Sequence, residues 1–505
     1  MKLASPDLNR LLHRARIGFI SLGCALSACA VGPDYRPPQV PTPDEWHALP
    51  ETGVRASTVD DPTLASWWKA LNDPILDQLI ERALADNKTL KQAVARVAEA
   101  RARRAASGVA PLLPSVDASA GASRTDSDSR RSGSGGFGGD DNNQGGGGFS
   151  SSGDTVYSGG LDARWEIDLF GGNRRTLEAL TAQLQASEAD LRDVLVTLLG
   201  DVALGYVNVR TQQARLAFAE RNLEAQRASY ENVSFRAEAG LASVLELERA
   251  RTSYEQQRAS LPVLESNLDQ AMNRLAVLTG QPPGALAELL AERRPVPSAP
   301  LEIAAGVPLD ALRRRPDIRS AERRLAAQTA QVGVATAALY PSLSLSGSIS
   351  LQSLSGSDLI SDGFRTDRSG LSLSIPLFRG GALRQNLNAQ NAVLDQVLAT
   401  YELTVLSAYE EVENALSAWT NEQRRHEALV AAVESARRAS ELAQLQYNAG
   451  LVDFETVLNA DRQLISLEDA LASSDGEMTS NMIRLYKALG GGWSVFPTTA
   501  TSASR

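Results

Sequence analysis

The chain repeats itself, and that repeat limits its possible folds more than any other property. "NKTLKQAVARVAEARA" from Asn87 matches "RPDIRSAERRLAAQTA" from Arg315, and "APLLPSVDAS" matches "ALYPSLSLS", with Pro114 near Pro341 at an offset of about 228 residues. Beyond the glycine-rich run at 131–150, "ARWEIDLFGG" matches "SLSIPLFRGG", with Phe170 against Phe378 at an offset of 208. Gly240 of "AEAGL" then matches Gly450 of "YNAGL" at an offset of 210. A glycine- and serine-rich run usually marks a linker between domains. Here both flanks have partners in the other half, so the run is an insertion inside one repeat. The layout expected is residues 29–70 as an extended N-terminal segment, 71–285 as the first repeat, 286–308 as a linker, 309–490 as the second repeat and 491–505 as a tail.

Each repeat reads as helix, strand, loop, strand, very long helix, break, helix. The strands expected are about 115–124 and 157–169 in the first half, and 342–352 and 369–378 in the second. In "GGLDARWEIDLF" the odd positions are Leu161, Ala163, Trp165, Ile167 and Leu169, and the even ones Asp162, Arg164, Glu166 and Asp168. One apolar wall and one wet wall result, because side chains alternate along a strand. The four charged residues are candidates for a channel lumen. Alternating segments of roughly ten residues suit transmembrane barrel strands, and an ordinary half-buried sheet shows the same pattern. Four strands cannot close a channel, and an open sheet edge is untenable in lipid. Several copies must then share one barrel, and three would supply twelve strands.

No proline falls between Thr176 and Leu261, or between Leu377 and Phe496. Leu191, Leu195, Leu198, Val202, Tyr206 and Val209 step by 4, 3, 4, 4, 3, as do Leu394, Leu398, Tyr401, Val405, Tyr409 and Val412, at an offset of 203. Such spacing is a coiled-coil seam. A helix from Thr176 to Ala239 would reach roughly 96 Å, too long for a compact globular domain. Gly240 and Gly450 stand where each long helix would reverse.

Residues 1–28 read as a targeting segment. Lys2, Arg10, Arg14 and Arg16 precede a short apolar run at 17–26, too short to cross a bilayer. It ends in Leu26-Ser27-Ala28-Cys29, which resembles a bacterial lipobox, so Cys29 is the expected lipid anchor and the covalent lipid the only attached group expected. Loss of this segment leaves 46 basic against 59 acidic residues, which argues against a nucleic-acid partner. It also leaves only His47, His426 and Cys29, too few for a structural zinc site or a disulfide, and no nucleophile–base constellation accompanies the two histidines. No cofactor, metal or enzyme activity is expected.

Several motifs, in order along nearly the whole mature chain, resemble the TolC family of outer-membrane channels. They are "CAVGPDYRPP" from Cys29, "WWKALNDPILDQLI" from Trp67, "WEIDLFG" from Trp165, "RRPDIRSAE" from Arg314, "YPSLSLSG" from Tyr340 and "YKALGGGW" from Tyr486. The similarity is to the lipoprotein branch (NodT/OprM-like) that serves RND efflux pumps. It implies a mainly α membrane protein: a homotrimer with a twelve-stranded transmembrane β-barrel, four strands per chain, continued into a long α-helical periplasmic barrel. It further implies residence in the outer membrane, with a periplasmic adaptor and an inner-membrane RND transporter as partners. By the same resemblance, "YNAGLVDFETVLNADRQL" holds the periplasmic aperture. Asp453, Glu455, Asn459 and Asp461 are its candidates, with Asn459 standing where relatives carry an aspartate. The turns at Gly240–Leu241 and Gly450–Leu451 would be the adaptor-docking tips.

The expected function is therefore a passive exit duct for small molecules. The alternatives are the export duct of a type I protein secretion system, a non-conducting envelope lipoprotein, and a lipid-anchored enzyme.

Overall fold

The computed structural model describes residues 30–38, 46–47, 54–55, 64–109, 113–125, 154–298, 303–304, 312–355, 357, 359–360 and 364–493. The targeting segment, Cys29, the glycine-rich run and most of the C-terminal tail lie outside them.

Seven α-helices are seen among these residues. They are α1 (Pro74–Asp86), α2 (Lys88–Val109), α3 (Gly172–Glu238), α4 (Val244–Leu278), α5 (Pro316–Ala337), α6 (Ala382–Asn448) and α7 (Phe454–Ala488). The strands are β1 (Val54–Arg55), β2 (Ser115–Thr125), β3 (Asp154–Ile167), β4 (Ile303–Ala304), β5 (Ser342–Ser353) and β6 (Phe364–Ser374).

The two halves match in length. Helices α2 and α5 each have 22 residues, α3 and α6 each 67, and α4 and α7 each 35. The offset is 228 between the first pair and 210 between the others, so the whole difference falls among the strands and their loops. The seam offset of 203 is therefore one heptad out. Val202 is equivalent to Val412, and Leu195 to Val405. A heptad pattern matches itself at every multiple of seven, so the pattern alone leaves this register open.

The described residues form two compact units. The first comprises 30–35 and the described parts of 101–181 and 326–395. Its centre is an antiparallel sheet in the order β2-β3-β5-β6. The register aligns Ser115, Arg164, Ser346 and Gly370 in one row, and Asp117, Asp162, Ser348 and Arg368 in another on the same face. The opposite face carries the rows Trp165–Leu345–Leu371 and Ile167–Leu343–Leu373. The alternation read from the sequence is thus the alternation of the sheet.

Two strand boundaries differ from expectation. The strand expected at 369–378 is β6 at 364–374. Pro376 cannot donate a ladder hydrogen bond, and at the other end Arg365 and Asp367 occupy apolar-parity positions and hide the pattern. The strand expected at 157–169 begins at Asp154 and stops at Ile167, because Asp168 turns to accept the backbone N–H of Arg174 (3.0 Å) at the start of α3.

The N-terminal segment is tied to the same unit. Val31 N–H donates to the Phe170 carbonyl (3.1 Å). The buried Arg175 donates to Asp34 (2.6 Å), to Glu178 (2.8 Å) and to the Val31 carbonyl (3.3 Å). Phe170 stacks on Tyr340 at 4.8 Å, whereas its repeat mate Phe378 is exposed.

The second unit comprises the described parts of 36–100, 182–325 and 396–505. Its main core gathers Leu76, Leu79 and Ile80 of α1 with Leu195, Leu199, Val202 and Tyr206 of α3, Leu275 of α4, Leu416 and Trp419 of α6, and Ile483 and Leu485 of α7. Asp73 caps α1 by accepting from Ile75 N–H (2.9 Å) and also receives the Tyr206 hydroxyl. The two-residue strands β1 and β4 pair in parallel and join the N-terminal segment to the 286–308 linker. Helix α4 runs through Pro262, where its repeat mate has Ala472. A proline there removes one helix hydrogen bond in one half only.

Candidate functional site: a polar sheet wall and two helix-hairpin turns

The first candidate region lies in the sheet unit. Its polar face is the concave one. A cavity of about 1080 Å³ is lined by Ser115, Asp117, Asp162, Arg164, Ser348 and Arg368, among others. Of the lumen candidates, Asp162, Arg164 and Glu166 lie on this face, exposed. Asp168 lies past the strand end and pairs with Arg174 at 3.4 Å. On the convex face Tyr157 and Trp165 stand eight residues apart on one side of β3. That separation is about 27 Å along the strand, and about 20 Å of height at the tilt usual for barrels. An apolar band with an aromatic residue near each end is the outer surface of a membrane barrel.

The second region lies in the helical unit, at the turns between α3 and α4 and between α6 and α7. Gly240 has φ +68° and Gly450 φ +74°, left-handed values that side-chain-bearing residues adopt at a cost. Leu241 N–H donates to the Arg236 carbonyl (2.7 Å) and Gly240 N–H to that of Ala237 (3.0 Å). Leu451 donates to Gln446 (2.9 Å) and Gly450 to Tyr447 (2.9 Å) in the same pattern. Both are Schellman caps, which satisfy the last helix carbonyls. They leave Leu241 and Leu451 pointing outward, 71% and 75% exposed.

The next helices start on matched caps. Ser243 and Glu246 form a capping box on α4, and Asp453 caps α7 by accepting from Thr456 N–H (3.0 Å) and hydroxyl (2.6 Å). These bonds hold the Asp453 carboxyl below its ordinary value. A small core of Val233, Tyr447, Phe454 and Val457 closes the hairpins together, and Arg236 lies over the Tyr447 ring at 4.6 Å.

The aperture candidates fall in different settings. Asp453 is the helix cap just described. Glu455 pairs with Arg249 of α4 at 2.9 Å. Asp461 accepts from Ser440 of α6 (2.6 Å) and from Gln226 of α3 (3.2 Å). Asn459 is exposed. Among the described residues no cluster of His, Cys, Asp and Glu could hold a metal ion. Cys29 lies outside the described residues, although its covalent neighbour Ala30 is described.

Sequence reasoning missed Arg249 and the Arg175–Asp34 tie. The signal for Arg249 lay in the repeat, since an offset of 210 sets Arg249 against Asn459 and Arg251 against Asp461. Nothing in the sequence announces the Arg175 tie.

A curled sheet with a charged inner wall, set in a chain with two pairs of 67- and 35-residue helices, defines one subunit of an outer-membrane channel. The profile described as "Outer membrane efflux protein" matches residues 79–281 and 307–491, and the chain belongs to that family. It is 35% identical to the pyoverdine export outer membrane protein OpmQ of Pseudomonas aeruginosa, over 94% of this chain and 97% of that one. Its fold matches the outer-membrane channel OprN with a TM-score of 0.81 at 36% identity, covering 92% of this chain and 100% of that one. It also matches the open state of the MtrE channel of Neisseria gonorrhoeae with a TM-score of 0.76 at 27% identity, covering 92% and 99%. The protein resides in the outer membrane and serves efflux as a transport channel.

Proposed function

We propose that three copies close one twelve-stranded barrel and form the exit duct of a tripartite RND-type pump for small molecules. In this reading a periplasmic adaptor grips the Gly240 and Gly450 turns, and an inner-membrane transporter supplies the driving force. The observation that carries it is the concave polar wall of a four-stranded sheet whose edges, β2 and β6, are unpaired among the described residues. Such edges in lipid require further strands.

A lipid on Cys29 fits the same picture. Ala30 and Val31 are held beside Phe170, just past the end of β3 that leads into α3. That end is the periplasmic end of the strand, so the acyl chains would enter the inner leaflet of the outer membrane. The chain needs no cofactor in this reading.

The periplasmic aperture is assigned to Asp453, Glu455, Asn459 and Asp461. The Glu455–Arg249 pair links α7 to α4 and favours a closed arrangement, and carboxylates repeated around a threefold axis attract cations. Conductance in planar bilayers tests both parts. The purified protein should form discrete channels, which a non-conducting lipoprotein would not. Asp453→Ala combined with Glu455→Ala should raise conductance, the first by loosening the start of α7 and the second by removing its tie to α4. Unchanged conductance would remove these residues from the gate.

A further inference from the structure

A sheet that closes into a barrel cannot join its edges level. Strands tilt, so each ladder is staggered against the last, and the stagger accumulates around the ring. The chain shows this drift within itself. Take the row Ser115–Arg164–Ser346–Gly370 as a reference. The β2–β3 ladder begins in that row, at Ser115–Arg164, and runs to Thr125–Asp154. The β3–β5 ladder begins three rows nearer the helices, at Ile167–Leu343, and the β5–β6 ladder begins four rows nearer, at Ser342–Ser374. Continued at these steps, the next ladder brings a fresh β2 against β6 with a total shift of about five to seven rows. Face parity permits only even shifts, because a slip of one residue turns every side chain to the other wall. Six remains, with four and eight just outside the range.

Charge separates six from these two neighbours. On the convex face β2 carries Arg124, and β6 carries Arg365 and Asp367, themselves paired at 2.9 Å. These charges share a face with Leu371 and Leu373, and a lipid-facing charge costs least near the membrane surface. A shift of four sets Arg365 against Arg124, which is repulsive. A shift of eight sets Ser369 against Arg124, which leaves Asp367 without a cation across the seam. A shift of six sets Asp367 against Arg124. The sequence also reads Arg-Thr-Asp both at 124–126 and at 365–367, a tripeptide of opposite sign to itself when paired antiparallel about its threonine.

We propose that β6 joins β2 of the partner subunit in the six-row register, with Asp367 opposite Arg124 of the partner subunit and Gly370 opposite the partner subunit's Gly121. This proposal rests on the shared-barrel reading above and adds the seam that makes it. The seam takes a second copy of this chain in one register only, because opposite-charge pairs across strands favour their register and like-charge pairs oppose the alternatives.

Paired cysteines test it. A Cβ at Gly121 or Gly370 meets nothing nearer than 3.7 Å, so both sites accept the change. Gly370→Cys combined with Gly121→Cys should cross-link between copies under mild oxidation, read as a covalent ladder on a non-reducing gel. Ser372→Cys with Ser119→Cys probes the same register without altering either glycine and should behave alike. Gly370→Cys with Ser119→Cys reports the four-row register, and Gly370→Cys with Ser123→Cys the eight-row register. Cross-linking of either of these in preference to the first two pairs overturns the proposed seam and leaves the shared barrel standing. Absence of inter-copy cross-links in all four, with monomers by native mass measurement, overturns the shared barrel itself.

Discussion

Single residues in the helical unit carry unequal burdens, and Arg315 carries a heavy one. Its buried guanidinium donates to the Ala488 carbonyl (2.7 Å), to Asp317 (2.7 Å) and to Glu411 (2.7 Å), and so ties α5, α6 and α7. Removing one member of a buried ionic group strands the others, so Arg315→Ala should cost about 3 kcal/mol or more. A lowered midpoint of thermal unfolding checks it. Asp193 lies in the same neighbourhood with the opposite problem. Burial first, and then the nearby Asp317 and Asp190, push its carboxyl up to about 6, against the pull of Arg315 and Lys487. Its native value exceeds its unfolded value, so the native state binds more protons between about pH 4 and 6. Stability from this group is then fully present below that window and lost as pH rises through it. Asp193→Asn should therefore raise the unfolding midpoint at pH 7.5 and leave it nearly unchanged at pH 4. An equal gain at both values would discard the assignment.

At the scale of elements, the hairpin turns are set by backbone more than by side chains. A Cβ at Gly450 meets nothing within 4 Å, so Gly450→Ala isolates the cost of a left-handed φ, about 1 kcal/mol. Thermal unfolding of the variant should show a small loss, and a neutral result would mean that the turn readily adopts another form. These elements were largely legible beforehand. Long helices and alternating strands are written in near-neighbour periodicity, which a sequence displays directly. What the sequence hid was anything set by distant partners. Asp453, Glu455 and Asp461 could be picked out as carboxylates, whereas Arg249, Ser440 and Gln226, which meet two of them, come from three other helices. The extent of β6 was hidden for a related reason, since Arg365 and Asp367 sit where the pattern calls for apolar residues.

For the whole molecule, the lipid proposed on Cys29 and the sheet would be two separate holds on the membrane. Acyl chains on one residue hold less firmly than a spanning structure, and a closed barrel buries its entire apolar wall. Cys29→Ser, exported through a cleavable signal, should therefore remain in the outer-membrane fraction with its conductance intact. Release into the soluble fraction would show that the lipid is the main anchor.

The equal helix lengths also constrain how such a gene can change. A duplicated subunit whose 67- and 35-residue helices agree to the residue behaves as a pair of calibrated rulers. An insertion in one ruler would set one hairpin turn lower than its twin and spoil any partner that reads both. Length variation should thus be inherited in matched pairs within the helices and singly only between the strands, which is where the 18-residue excess of the first half is found.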